Sequence, residues 1–296
     1  MDIFQRIIEI TFPIFAIVAL GLYCGYRFKP DLKVINHLNM DIFVPALIFS
    51  VLVGQSVDVR NYLPLIVAGT VVVLGSGLLV WPLCRAMNID FKTLAPTAMF
   101  NNAGNMGLPL VILTFGEAAL PIAMILFLVE NTLHFTVGMA WLNNSQSKWR
   151  AMISPLTIAT LIAVIIGMTP FRPPETLMLP IDLLGQVVIP LMLFSLGVRL
   201  STSDLKTLPV GLLGGTICPL SGILLVVIIK PFVDLSPTEM GTLFLFGALP
   251  PAVLNFMFAE RYQQEPEKVA SIVIIGNGLS FVTLPLVLGY VVPKFT

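Results

Sequence analysis

Almost every stretch of this chain long enough to form a helix is also apolar enough to lie in lipid, and that recurrence constrains the fold before any motif does. A hydrocarbon core of roughly 30 Å is crossed by about 20 residues of α-helix, and apolar runs of that length recur from Ile10 almost to the last residue with only short polar breaks. Backbone groups find no partners in lipid, so such a chain satisfies them inside its own helices. The expected fold class is therefore an all-α membrane protein without a soluble domain. A hydrophobic share of 57%, a charged share of 11% and a mean hydropathy of +0.95 agree with this.

Hydropathy places about ten helices, near residues 10–28, 36–54, 62–86, 93–115, 118–141, 151–169, 178–199, 208–232, 238–261 and 269–292. The first is too long, and too soon followed by others, to be a cleaved signal peptide. Loops on one side of this arrangement hold eleven Lys and Arg residues and those on the other side five. The richer side is then cytoplasmic, both termini face outward, and the polar stretch NNSQSKWR at 143–150 lies inside.

Several functions are set aside by what the chain does not carry. Cys24, Cys84 and Cys218 are odd in number and sit in or beside apolar runs, so they read as packing residues. His37 and His134 are far apart with no ligand-spaced carboxylate or thiol, so neither a metal site nor a cofactor is expected. A formal net charge of zero without basic runs offers nucleic acid nothing. No phosphate-binding glycine loop suggests direct drive by ATP, and no nucleophile and base pattern suggests an enzyme.

The two halves of the chain resemble each other. VPALIFS and IPLMLFS pair Pro45 and Ser50 with Pro190 and Ser195, 145 positions apart, while ENTLHF and GNGLSF pair Asn131 and Phe135 with Asn277 and Phe281, 146 apart. A near-common offset in two helix pairs points to duplication. Five helices per half is an odd number, so the copies are inverted, with residues 1–141 as the first repeat, 142–150 as a linker and 151–296 as the second. Inverted repeats with a site at the membrane midplane are characteristic of secondary transporters.

Two segments break their own helices at matching places. FNNAGNMGLPL (100–110) carries Gly104 and Gly107, and GALPPAVLNF (247–256) carries Pro250 and Pro251, which lack backbone donors. Orphaned backbone groups in lipid cost several kcal/mol each, so such breaks are expected to face each other or a watery cavity. Their half-helix N-termini suit an anion. The amides of Asn101, Asn102, Asn105 and Asn255 add donors and acceptors; plain interhelical packing is the alternative. Gly21 and Gly25 form a small-residue face that reads as packing.

Glu130, Asn131 and His134 are intramembrane polar residues spaced to share a face, with Gly276, Asn277 and Ser280 in the matching places of the last helix. Such groups are costly in lipid and usually serve coupling or binding. Here proton coupling through Glu130 or His134 stands beside a purely structural pairing of Glu130 with His134 or a neighbouring helix. Asp41 is a further coupling candidate, Ser50 and Ser195 are candidate cavity residues, and Asp182 and Glu260 read as interfacial. No arginine is expected in the crossing.

The segments NNAGNMGLPL and GALPPAVLNFMFAERY, supported by VPALIFS, resemble the auxin efflux carrier family, which includes plant PIN carriers and permeases for malonate and related acids. The resemblance covers essentially the whole chain. It implies a bacterial inner-membrane protein of two inverted five-helix repeats, similar to sodium/bile-acid symporters, whose fourth and ninth helices cross at their broken centres. By the same resemblance Asn102 is the crossover asparagine and Pro250 and Pro251 the paired prolines. The chain lacks the long cytoplasmic loop of the plant carriers, so auxin itself is not implied. The expected function is secondary active transport of small organic anions, mono- or dicarboxylates, by alternating access, driven by a proton or another gradient. Partners are the anion, the bilayer, a coupling proton or sodium and, in a dimeric form, a second copy. A passive channel, or a sodium-coupled carrier of a non-carboxylate solute, remains the alternative.

Overall fold

The computed structural model describes residues 3–54, 57–142, 155–201 and 207–296, and every regular element among them is helical. In chain order these are α1 (Ile3–Phe28), α2 (Asn39–Gly54), α3 (Val59–Met87), α4 (Phe91–Met99), α5 (Ala103–Phe115), α6 (Glu117–Leu142), α7 (Pro155–Gly167), α8 (Glu175–Ser201), α9 (Leu208–Phe232), α10 (Pro237–Gly247), α11 (Val253–Tyr262) and α12 (Pro266–Phe295). A short helix, Lys33–Leu38, leads into α2. Six of these, α1, α3, α6, α8, α9 and α12, are long and apolar enough to cross a membrane. The linker expected at 142–150 lies, past Leu142, outside the described residues.

Two expected spans are each two helices. The run near 93–115 divides into α4 and α5, and the run near 238–261 into α10 and α11. The helix starts have local causes: Asp90 accepts from the Lys92 N–H at 2.8 Å to cap α4, and Ser236 with Glu239 forms a capping box on α10.

Three helices contain a π turn, at Asn39–Phe43 in α2, Ala103–Gly107 in α5 and His134–Gly138 in α6. Proline explains two of them. Pro45 and Pro109 follow the turns in α2 and α5, and each removes the N–H that an α-helix would supply to the carbonyl four residues earlier, which favours a widened turn there.

Two sets of close helix contacts stand out, and α1 bridges them by also packing on α12. α2 lies against α7 and α8, and α8 in turn against α1, while α9 packs on α12, α3 and α4. Glycine permits the closest approaches in both groups. A Cβ on Gly21 or Gly197 would run into a backbone carbonyl of the facing helix, so α1 and α8 touch backbone to backbone, the packing role expected of GLYCG. In the other group a Cβ on Gly276 of α12 would lie 2.6 Å from Pro251 Cδ and 3.2 Å from Gly215 Cα of α9. Phe12, Leu20, Leu78, Leu161, Val282 and Leu286 are exposed, as lipid-facing side chains are.

Candidate functional site

Between α4 and α5 the chain runs extended through Phe100, and between α10 and α11 through Ala252, and the two extended pieces pair. Asn101 and Pro251 form an antiparallel bridge in which the Asn102 N–H donates to Pro250 O at 2.7 Å and the Ala252 N–H to Phe100 O at 2.9 Å. Each break thus satisfies the other, which is how two interrupted helices persist where water is scarce.

Side-chain amides complete the crossing. Asn255 Nδ2 donates to Phe100 O at 2.8 Å, and Asn101 Nδ2 to Phe246 O at 2.6 Å, so an asparagine from each broken pair serves a carbonyl of the other. Asn102 Nδ2 donates to Asn277 Oδ1 at 2.7 Å, and Asn277 Nδ2 reaches Pro251 O at 3.0 Å and Val273 O at 2.7 Å. The amide nitrogens of Asn101, Asn102 and Asn255, expected as ligand donors, are therefore bonded within the fold. The oxygens Asn101 Oδ1 and Asn255 Oδ1 are buried without a hydrogen bond. Neither α5 nor α11 has a side-chain cap on its N-terminus.

A cavity of about 520 Å³ opens at the crossing, between the α2 and α8 side and the α5, α6 and α11 side. Its wall includes Asn101, Asn102, Gly104, Asn105, Glu130, Asn131, His134, Ser195 and Asp41. Pro250, Pro251, Asn255 and Asn277 instead build the crossing beside it. Ser50 is not part of the wall: its hydroxyl donates to the Asp182 carboxylate and ties α2 to α8.

Glu130 and His134 are 4% and 3% exposed, so both groups sit at the closed end of the cavity. The two groups face different partners. The Asn101 backbone N–H faces the Glu130 carboxyl, and the Asn255 amide lies beside the His134 ring. His134 stacks on Phe100 with ring centroids 4.0 Å apart and meets Phe258 edge-on at 4.9 Å. The π turn that begins at His134, with Gly138 close against Phe100, brings the ring onto the break.

The membrane transport protein family matches residues 6–148 and 138–288 of the chain. The chain belongs to this family. The resemblance read from its two broken segments holds, and with six helices able to span a bilayer it is a multi-pass membrane protein of a transport family. A protein of Rhizobium meliloti (strain 1021) named "Putative malonate transporter" is 28% identical to it over 307 residues, covering 94% of each chain.

For a member of a transport family, what the sequence reading missed matters most at the cavity mouth. Arg199 of α8 and Arg261 of α11 line the wall, with His37 and Asn39. Both arginines were counted among loop charges. Their helical phase was the available signal: Met192, Ser195, Leu196 and Arg199 follow one face of α8, and Leu254, Met257, Phe258 and Arg261 one face of α11. All three π turns found among the described residues also contribute to the wall.

Proposed function

We propose that the protein is a secondary active carrier of small organic anions working by alternating access, built as two inverted five-helix repeats over residues 1–141 and 151–296. The observation that carries this is the cavity itself. It lies between α2 and α8 on one side and α5, α6 and α11 on the other, and it ends at the paired breaks, where Asn277, Ser280, Met106 and Leu249 are packed at 1% exposure or less. A pore needs a continuous path, whereas a blind cavity between two bodies suits a site exposed to one side at a time.

The uncapped N-termini of α5 and α11 lie in its wall, with Ala103, Gly104 and Asn105 from one and Ala252, Val253 and Leu254 from the other. Their N–H groups and dipoles favour a carboxylate, mono- or dicarboxylic acids being the class in view. By the excess of positive loops on one side, the mouth beside the exposed Asp41 and Arg261 faces the cytoplasm. Glu130 supplies the coupling. In its charged form it repels an anion seated at the crossing, and a proton on it removes that repulsion, so proton and anion favour each other's binding.

The test is uptake of labelled malonate into proteoliposomes under an imposed pH gradient. Saturable uptake that an inward proton gradient accelerates is expected, and Glu130→Gln should carry malonate by exchange while losing its response to the gradient. Linear, non-saturating flux would make the protein a channel. Drive by sodium alone, with Glu130→Gln unchanged, would remove the proton from the mechanism.

A further inference from the structure

We infer that the end of the bundle opposite the cavity mouth carries a binding site for the phosphate headgroup of an anionic phospholipid, formed by Lys230 of α9 and Lys294 of α12. α12 starts just past Arg261 of the mouth and runs 30 residues to Phe295, about 45 Å at the rise of an α-helix. α9 has its start at the same end, since the Thr207 hydroxyl just before it donates to Ser271 Oγ near the start of α12 at 2.8 Å. Lys230 and Lys294 therefore both stand at the far membrane surface.

The two ammoniums sit on one aromatic cluster. Lys230 Nζ lies over the Phe295 ring, 5.5 Å from its centroid, and Lys294 Nζ over the Tyr290 ring at 4.3 Å. Those two rings are 6.2 Å apart, and Phe244 of α10 packs against both, 5.4 Å from Tyr290 and 5.7 Å from Phe295. A ring face attracts an ammonium and so restrains an otherwise flexible side chain. Three helices, α9, α10 and α12, thus meet beneath two positive charges held on adjoining rings.

Both lysines are exposed, and among the described residues neither meets a carboxylate at ion-pair distance, whereas Arg6 and Arg60 pair with Glu9 and Asp58. Asp234, on the loop after α9, is exposed and pairs with neither lysine, and Glu239 is held by Ser236 in the capping box of α10. The surface leading to the lysines is apolar on both helices. Leu224 and Val227 of α9 are 50% and 52% exposed, Leu286 and Tyr290, two turns and one turn before Lys294, are 71% and 39% exposed, and Phe232 is 83% exposed. A lipid seated there lays its acyl chains on that surface and brings its phosphate to the ammoniums, which take phosphate as point charges. A zwitterionic lipid carries its own cation to the same place and loses that attraction, so the site selects anionic headgroups.

The experiment is thermal unfolding of the detergent-purified protein with added phosphatidylglycerol, cardiolipin, phosphatidylcholine or inorganic phosphate. Wild type should gain roughly 3–6 °C from either anionic lipid over phosphatidylcholine at the same mole fraction, and the gain should shrink in about 1 M salt. Lys230→Gln and Lys294→Gln should each lose about half of this gain, and the double variant most of it. Arg60→Gln, whose charge is already committed to Asp58, should keep it. Without added lipid each lysine variant should unfold within about 2 °C of wild type, because both side chains are exposed. Equal gains from phosphatidylcholine, or a full gain in the double variant, would overturn the assignment. A shift that inorganic phosphate alone reproduces would make this a free-anion site and overturn the lipid, and an Arg60→Gln variant as insensitive as the double variant would replace the site by diffuse surface charge. The readout involves no transport, so none of these outcomes bears on the carrier function.

Discussion

α6 and α12 carry the same Asn-x-x-x-Phe spacing, Asn131 with Phe135 and Asn277 with Phe281, and flank the crossing of the broken helices in opposite circumstances. On α6 the sequence around the pair adds Glu130 and His134, the helix opens into a π turn, and all four residues line the cavity. On α12 the matching places hold Gly276 and Ser280, and the helix runs uninterrupted over 30 residues. There Gly276 admits Pro251, Ser280 is fully buried with its hydroxyl bonded to Asn277 O at 2.6 Å, and Phe281 stacks on Phe15 of α1 at 4.0 Å. One asparagine consequently holds the crossing together while the other faces the space a solute would occupy. This asymmetry fits one end of the alternating-access cycle proposed above.

The largest contrast lies in the two asparagines. Asn277→Ala removes the acceptor of Asn102 Nδ2 and the donor to Pro251 O in a site that is 1% exposed. Two stranded polar groups at about 1–3 kcal/mol each predict a loss of roughly 2–6 kcal/mol. Asn131→Ala loses only a bond to Phe127 O of its own helix and should stay within about 0.5 kcal/mol while slowing uptake. Thermal unfolding in detergent beside an uptake assay separates the two, and equal stability losses would erase the distinction between the two sides.

The glycines beside the crossing give the next contrast. Gly276→Ala drives a methyl into the Pro251 ring and the Gly215 backbone, neither of which yields, and should cost about 1–3 kcal/mol. Gly104→Ala meets only the tips of Met192 and Phe127, each at 3.0 Å, and should cost less than about 1 kcal/mol in the same unfolding assay. A Gly104 variant as unstable as the Gly276 variant would mean that the α5 side is as tightly packed as the α12 side.

How much of this was legible in the sequence depends on whether a residue acts through its type or through its partner. Pro250 and Pro251 cannot continue a hydrogen-bond ladder in any setting, and Gly104, Gly107 and the clustered asparagines weaken a lipid helix wherever it lies, so the two breaks could be read directly. That the breaks pair through Asn102 N–H and Ala252 N–H depends on where a segment 150 positions away is placed. The amides show the same limit: their type announced polar contacts, but the partners of Asn102 and Asn255 are the fold rather than a ligand. Arg199 and Arg261 were hidden for a different reason. A positional count of charges assigns any arginine near a helix end to a loop, and only the phase relative to Ser195 or Phe258 turns it toward a cavity. The π turn at His134 has no proline after it and no signature in composition, since it depends on how α6 meets Phe100.

The smallest perturbation probes the comparison without disturbing either side. In a background with Cys24, Cys84 and Cys218 replaced, Asn131→Cys places a thiol in the cavity wall and Ser280→Cys places one behind the crossing, each a modest change in volume. A membrane-impermeant maleimide applied from the side of the cavity mouth should modify the first thiol readily and spare the second, with stability within about 0.5 kcal/mol of the background for Asn131→Cys and a loss of about 0.5–1.5 kcal/mol for the buried Ser280→Cys. Malonate should protect the Asn131→Cys thiol by occupying the cavity. Under alternating access the same bodies later close over α6 and open beside α12, so Ser280→Cys should become reactive from the opposite side while substrate is being carried. A Ser280→Cys thiol that reacts from the side of the cavity mouth as fast as Asn131→Cys would show the crossing to be porous rather than closed. One that never reacts from either side during transport would show that α12 is fixed scaffold and that the proposed repeats do not exchange roles.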